Sequence, residues 1–224
     1  MRVNSNDNES IMKWLDEGVG VGENGIVIYP NLQTFHQIYT KYVNVKLAAK
    51  GVEEDDNNSK GNEQSKPRII LIATFYETID SVKHHLSAVG MQNIQSLIDN
   101  GSLVIVDAFS FYYPDVSGMK KLVTSLSDRA RKEGRVGVTA MVDMGFFFLF
   151  GGDGRATELI NYEASLAPKT EGGNVRGFSC YHGGNYDTLK DNQKKELLAQ
   201  GQKKLLEVID GEGGGAAAHV ASNA

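Results

Sequence analysis

The chain alternates between short apolar runs and longer stretches in which apolar residues recur every three or four positions. The short runs predict strands at residues 25–30, 68–76, 100–109, 135–144 and 175–182. The longer stretches predict helices at residues 32–50, 77–90, 116–133, 156–166 and 189–209. This alternation requires crossover connections, which place successive strands parallel to one another. We therefore predict a three-layer α/β fold, with a mainly parallel sheet and helices on both of its faces.

The polar segments between and beyond these elements set the expected domain boundaries. Residues 1–10 carry no sustained apolar pattern and are predicted to be a flexible N-terminal tail, followed by a single domain at residues 11–210. Within that domain, residues 51–67 are acidic and free of aromatic side chains, so we expect a solvated loop. The Gly- and Ala-rich residues 211–224 predict a disordered tail.

Composition narrows the possible classes of function. The 224 residues carry a formal net charge of -5, which disfavours a nucleic-acid partner because such a partner needs a basic face. The single cysteine, Cys180, excludes an internal disulfide framework and fits a reducing compartment. The polar N-terminus has no signal-peptide pattern, and the longest apolar run, residues 144–150, is too short to cross a bilayer. We therefore expect a cytoplasmic protein with no membrane partner.

Several segments, in their order along the chain, resemble the RecA-like ATPases of the KaiC type. The segment LDEGVGVGENGIVIYPNLQTF stands where that family has a glycine-rich lead-in, a strand and a phosphate loop. The segment RIILIATFYETIDSVKHHLSAVGM resembles the second strand with its acidic turn and helix, IDNGSLVIVDAF the strand that follows, and VGVTAMVDM the Walker B strand. The resemblance covers residues 16–209 and implies a RecA/P-loop-like topology.

The second half of the chain is more similar to a degenerate relative, the MEDS sensory domain of methanogen and DcmR-type regulators. The similarity is carried by DM at 143–144, NYEASL at 161–166 and FSCYHGGNYDTLKDNQKKELL at 178–198. The resemblance implies a sensory role with small organic molecules as ligands, and its candidate ligand-binding residues are Asp143, Glu163, Tyr181 and His182. The residues alone leave alternatives open, because Asp143 also suits a capping or hydrogen-bonding role and Glu163 a surface position.

The predicted phosphate loop lacks the residues that bind phosphate. A working loop reads G-x-x-x-x-G-K-[ST], in which glycines let backbone N–H groups surround the phosphates and the lysine supplies charge. At the matching position this chain has Pro30, Asn31, Gln33 and Thr34, without glycine or lysine. Pro30 has no N–H group, and only Thr34 offers a hydroxyl for Mg²⁺. We therefore predict a degenerate Walker A position, no cofactor and no catalytic residues, with Mg-ATP binding as the alternative.

The cysteine and the histidines offer weaker signals of chemistry. Cys180 and His182 stand two positions apart on a predicted strand and therefore share a face. Two ligands do not make a zinc site, and a Cys–His catalyst needs a third group to orient its base. The adjacent His84 and His85 point about 100° apart on a helix and do not converge, and His36 is expected to be a polar residue on a helix face. We predict no metal site.

Aromatic residues cluster at the carboxyl tips of two of the predicted strands. They are Phe109, Phe111, Tyr112, Tyr113, Phe146, Phe147 and Phe148. Open parallel sheets bind ligands at the carboxyl ends of their strands, so these side chains could line an apolar pocket there. They could equally fill the space that a nucleotide base would occupy, or form a partner interface.

Three functions remain open from the sequence. The first is a non-catalytic sensory or signal-relay domain that binds a small organic ligand at the carboxyl edge of the sheet. Such a domain would act through a protein partner or a homo-oligomer. The second is a nucleotide-binding protein or weak ATPase of the KaiC type. The third is a structural partner of an active KaiC-like paralogue.

Overall fold

The computed structural model describes residues 1–47, 66–113, 115–149, 153–166, 174–199 and 203–210. Its strands are β1 (Arg2–Asn4), β2 (Asn24–Tyr29), β3 (Ile69–Thr74), β4 (Leu103–Asp107), β5 (Val138–Asp143), β6 (Val175–His182) and β7 (Leu205–Ile209). Its α-helices are α1 (Asn8–Lys13), α2 (Leu32–Leu47), α3 (Ile79–Ala88), α4 (Ile94–Asp99), α5 (Ala108–Tyr112), α6 (Ser117–Lys132), α7 (Asp153–Ser165), α8 (Gly183–Asp187) and α9 (Asp191–Ala199). A π-helical turn occupies Trp14–Gly18, and a 3₁₀ turn occupies Gly145–Phe148.

All seven described strands form one sheet in which every pair is parallel. The strand order is β1-β7-β2-β6-β5-β3-β4. The predicted α/β fold with a parallel sheet is therefore confirmed. Because the strands are parallel, their carboxyl ends all lie at the same end of the sheet, which we call the carboxyl edge. The segments that follow β2, β3, β5 and β6 all begin there.

Helices cover both faces of the sheet, as the continuous apolar runs of β3 and β5 require. One hydrophobic core joins strand residues such as Val27, Ile70 and Cys180 to α1–α4, and we call this side the α2 face. The other core joins alternate strand residues such as Ala140 and Tyr181 to α5–α9, and we call it the α6 face. Adjacent residues of one strand therefore belong to different cores.

Two predictions at the chain ends are wrong. Residues 189–209 do not form one long helix, because helix α9 is followed by strand β7. Leu205–Ile209 alternates between buried and half-buried positions, which is the period of a strand. Five residues are too few for this period to be distinguished from the helical pattern that precedes them. Residues 1–10 are not simply a tail, because β1 pairs with β7 and α1 begins at Asn8. Val3 is the one buried residue of β1, too little for a sequence signal.

The remaining boundary predictions concern segments outside the described residues. Of the predicted loop at 51–67, only Lys66 and Pro67 are described, and Lys66 forms an isolated parallel bridge with Arg135. The predicted tail at 211–224 lies wholly outside the described part of the chain. Among the described helices, none is both long and apolar enough to cross a lipid bilayer.

Candidate functional site

The position of the predicted phosphate loop is an ordinary helix start. Asn31 stands between β2 and α2, and its Oδ1 accepts a hydrogen bond of 2.9 Å from the backbone N–H of Thr34. This bond occupies one of the free N–H groups that a phosphate would otherwise use. The side-chain amide of Asn31 donates to Oδ1 of Asp210 at 2.9 Å, which ties the loop to the end of β7. Thr34 is buried, Pro30 is half-buried and Gln33 is exposed.

Asp143, which we predicted to stand at a Walker-B-like position, is buried at the end of β5. Its Oδ2 accepts a hydrogen bond of 3.1 Å from the hydroxyl of Tyr29, and its Oδ1 accepts one of 2.9 Å from the N–H of Gly145. Burial raises the pKa of Asp143 to about 7, although these hydrogen bonds oppose the rise. Both carboxylate oxygens thus have protein partners inside the core, and Asp143 presents neither oxygen to solvent.

Aromatic rings fill the space above Asp143 at the carboxyl edge. The ring of Tyr29 stacks on Phe35 with centroids 4.6 Å apart and meets the half-buried ring of His182 edge-on at 5.6 Å. His182 also meets the ring of Tyr76 at 6.2 Å, and the hydroxyl of Tyr76 accepts a hydrogen bond from Asn185. His182 therefore packs between two tyrosines.

Glu163 lies on the opposite face of the sheet, where it is fully buried on α7. Its carboxylate forms an ion pair with Nζ of Lys203 and accepts a hydrogen bond from the hydroxyl of Tyr181. The side-chain amide of Asn24 donates to Oε2 of Glu163 at 3.2 Å and to Oγ of Ser179 at 2.9 Å. This buried network joins α7 to β6, β2 and the segment before β7.

The four predicted ligand-binding residues are therefore not brought together. Asp143 and His182 lie near Tyr29 on the α2 face, whereas Glu163 and Tyr181 are bonded to each other on the α6 face. The physical reason is strand alternation, since neighbours such as Tyr181 and His182 point to opposite faces. Cys180 is also buried on the α2 face, and burial raises the pKa of its thiol well above the usual value.

The aromatic residues after β4 and β5 divide into a core group and a surface pair. Tyr112, Phe146 and Phe147 are buried and pack against one another and against Tyr162, with centroids 5.2 to 5.6 Å apart. Phe111 and Phe148 are half-buried. Phe109 and Tyr113 are exposed and stack with centroids 5.7 Å apart. Most of the group therefore fills the core beside α5 and the 3₁₀ turn, and none of it lies on a strand.

A cavity of about 230 Å³ lies on the α6 face, between the sheet and helices α6 and α7. Its walls include Val123 of α6, Ala140 of β5 and Tyr162 of α7. Asn24 and Ser179, the hydrogen-bonded pair beside Glu163, also line it. No sequence pattern indicates this cavity, because its walls come from distant parts of the chain and the order of the strands cannot be predicted from local pattern.

A cluster of three titratable side chains at the carboxyl edge was also missed. His36 of α2, Glu77 of the loop after β3 and His85 of α3 bring their ligand atoms within 4.8 Å of one another. The available signal was the spacing of Glu77, Ser81 and His85, which puts them on one helical face at intervals of four. His85 was discounted because its neighbour His84 points elsewhere; His84 is exposed, whereas His85 is half-buried.

No protein-family model matches the chain, and no curated protein matches it. The similarity to RecA/KaiC-like and MEDS domains therefore stays a prediction. The geometry offers three features with chemical potential: a capped helix start in place of a phosphate loop, a mainly apolar cavity beside a buried ion pair, and a His–Glu–His cluster.

Proposed function

We propose that this protein is a non-catalytic sensory or signal-relay domain of the RecA/KaiC-like class, and that it binds a small organic molecule. The observation that carries the proposal is the cavity of about 230 Å³ between the sheet and helices α6 and α7. Our sequence-based expectation put the ligand at the carboxyl edge of the sheet. The cavity favours the α6 face instead.

The size and lining of the cavity suit a single aromatic ring or a ligand of similar volume. An engineered protein cavity of about 150 Å³ binds benzene, so 230 Å³ leaves room for a somewhat larger molecule. Val123, Ala140 and Met119 supply apolar contacts, while Asn24 and Ser179 supply the few polar groups that orient a ligand. The expected ligand is therefore mainly apolar with one hydrogen-bonding group.

The buried ion pair next to the cavity provides a route for relaying a signal. Asn24 lines the cavity and also donates to Glu163, which holds Lys203 just before β7. A ligand that hydrogen-bonds to Asn24 competes with Glu163 for the same amide group. Such competition would loosen the link between α7 and β7, and this is a local change that a partner could read.

The absence of ATP hydrolysis is supported by the groups that occupy the phosphate and metal positions. Asn31 caps the helix start at Thr34, and Asp143 is buried against Tyr29. The glycines and the lysine expected in a working phosphate loop have no counterpart at residues 29–35.

Calorimetric titration with phenol, indole and Mg-ATP tests the proposal. We expect saturable binding of phenol or indole and no saturable heat with Mg-ATP at millimolar concentration. Val123→Phe should fill the cavity and abolish binding of the ring probes, whereas Leu122→Phe, on the same helix but outside the cavity lining, should preserve it. Binding that survives Val123→Phe, or saturable micromolar binding of Mg-ATP, would contradict the proposal.

A second candidate function, contact with a protein partner, is favoured by the exposed pair Phe109 and Tyr113. The two rings stack nearly parallel, at an angle of 8°, on the surface beside α5. Exposed paired aromatic rings are characteristic of interface cores. A partner or a second copy of this chain would cover both rings.

A further inference from the structure

Three potential metal ligands converge where helices α2 and α3 meet at the carboxyl edge of the sheet. Nε2 of His36 lies 3.0 Å from Oε2 of Glu77, and Nε2 of His85 lies 3.7 Å from the same oxygen. The side chain of Glu77 is 5% exposed, whereas those of His36 and His85 are 22% and 30% exposed, so Glu77 is the most buried member of the cluster. Two imidazoles and a carboxylate form a donor set that divalent transition metals prefer.

Two atoms of this cluster have unmet bonding capacity. Oε1 of Glu77 and Nε2 of His36 are buried, and neither has a hydrogen-bond partner among the residues that the structure describes. Nε2 of His36 lies 3.0 Å from Oε2 of Glu77, but the two atoms form no hydrogen bond. A buried polar cluster that served only packing would be expected to satisfy these atoms, because leaving them unpaired is costly.

The ion pairs of the cluster also suit a cation. Among the described residues, Glu77 pairs with the two imidazoles and with no lysine or arginine. A divalent ion would supply positive charge beside this buried side chain.

We propose that His36, Glu77 and His85 bind a divalent transition-metal ion, with Zn²⁺ as the best fit. In a tetrahedral zinc site with bonds of about 2.0–2.1 Å, neighbouring ligand atoms lie about 3.3 Å apart. The observed separations of 3.0 and 3.7 Å bracket this value. Three protein ligands leave a fourth position for water or for an oxygen or nitrogen atom of a bound molecule.

The surrounding residues would hold the carboxylate ligand in place. The hydroxyls of Tyr39 and Ser81 donate to Oε2 of Glu77 at 3.4 and 3.3 Å, and Ser81 also lies 3.2 Å from Nε2 of His85. Hydrogen bonds of this kind orient metal ligands and tune their basicity. Oε1 of Glu77 has no such partner and can bind the ion together with Oε2.

Metal binding requires one local rearrangement. The rings of His36 and His85 stack with centroids 3.8 Å apart and an interplanar angle of 26°. In this arrangement their lone pairs run side by side rather than toward one point. The ion would therefore rotate at least one ring about its side-chain torsions, a small change for half-buried side chains. Binding should be visible as a change in the ring resonances of these two histidines.

The test is a titration of the metal-free full-length chain, without an added histidine tag, with Zn²⁺ and with Co²⁺. We expect one ion per chain with a dissociation constant of about 1 μM or tighter. His36→Gln, Glu77→Gln and His85→Gln should each weaken binding by at least about 100-fold, because each removes a ligand. The visible absorption of bound Co²⁺ should be that of a low-coordinate site, and it should be lost in the same variants.

His84→Gln is the matched control, because His84 is adjacent to His85 on α3 but exposed and outside the cluster. It should bind zinc as the unaltered chain does. Circular dichroism of every variant, compared with the unaltered chain, separates loss of the site from loss of the fold, and the half-buried His85 offers the mildest substitution. Equal zinc binding in folded His85→Gln and His84→Gln, or no binding by the unaltered chain at micromolar zinc, would overturn the proposal. Binding of phenol or indole is a separate readout, so either proposal can fail alone.

Discussion

The hydroxyl of Tyr29 donates a hydrogen bond of 3.1 Å to Oδ2 of Asp143, although β2 and β5 are separated in the sheet by β6. The bond passes over the end of the intervening strand, and both side chains are buried. An acidic group at this position would serve a metal ion or an attacking water only if it were accessible. Here it forms part of the core, and its main effect should be on stability.

Replacing Asp143 should remove a pH dependence of folding. The folded-state pKa of about 7 lies above the usual aspartate pKa of 3.8, so ionisation of Asp143 favours the unfolded chain as pH rises from about 4 to 7. The free energy of unfolding of Asp143→Asn, relative to the unaltered chain, should therefore increase across this range by up to about 4 kcal/mol and level off above pH 7. Urea unfolding at a series of pH values measures this difference.

The variant must be compared with the unaltered chain because the lowered pKa of His36 changes the free energy of unfolding with pH in the opposite direction. Its folded-state pKa is lowered to about 4, so its contribution to stability is lost as pH falls below 6.5. This contribution cancels in the difference. Asp107→Asn is a suitable control. Asp107 is the last residue of β4, is only half-buried and caps α5. A difference for Asp143→Asn that does not vary with pH would contradict the prediction.

Removing Lys203 should be among the most damaging single changes in the described chain. Lys203→Met leaves the carboxylate of Glu163 buried without its positive partner, and such a loss typically costs about 3–5 kcal/mol. The double variant Glu163→Gln/Lys203→Met removes both charges and keeps one acceptor oxygen at position 163, which can accept the hydrogen bond from Tyr181. It should recover most of the lost stability, as measured by chemical unfolding.

The neighbouring pair Lys204 and Glu23 provides the matched control. Their charged atoms are 2.9 Å apart, but both side chains are about half exposed. Lys204→Met should therefore cost less than about 1 kcal/mol. Similar losses for Lys203→Met and Lys204→Met would show that burial of the first pair does not govern its contribution.

Cys180 should be unreactive in the folded protein. The thiol is buried and its pKa is raised, mainly by burial, so the reactive thiolate is scarce. Labelling by an aromatic disulfide reagent should be slow in native buffer and immediate in concentrated urea. Because this is the single cysteine of the chain, the labelling rate then reports unfolding directly. Rapid stoichiometric labelling of the native protein would instead indicate an accessible, activated thiol.

The sequence predicted the centre of the fold well and its edges poorly. Apolar runs bounded by polar residues identified β3 and β5, the pattern of residues 175–182 identified β6, and the helix expected at 116–133 is α6, Ser117–Lys132. Strands β1 and β7 were missed because they are short and depend on pairing, β1 with β7 and β7 also with β2. Pairing between distant segments leaves little trace in local pattern.

The site was harder to predict than the fold because its contacts depend on the order of the strands. Asp143 was correctly placed at the end of a strand, but its partner Tyr29 lies on a strand that is not adjacent in sequence or in the sheet. Glu163 carried no sign of its buried partner, which lies 40 residues further along the chain. The pair His36 and His85 comes from separate helices whose packing only the structure reveals.

The exposed pair Phe109 and Tyr113 should mediate self-association. Phe109 is 37% exposed and Tyr113 is 65% exposed, so substituting both should change the free energy of unfolding by only about 0.5 kcal/mol per site. The stacked rings form a compact apolar patch. In a two-fold symmetric dimer, this patch would pack against the same patch of the second subunit. We therefore expect the unaltered chain to dimerise with increasing concentration in sedimentation experiments, and Phe109→Ser/Tyr113→Ser to remain monomeric. Val136→Ser, which removes an exposed apolar side chain elsewhere, should leave dimerisation unchanged. A monomer at every concentration, or dimers that persist in the double variant, would assign the contact to another surface or to a different partner.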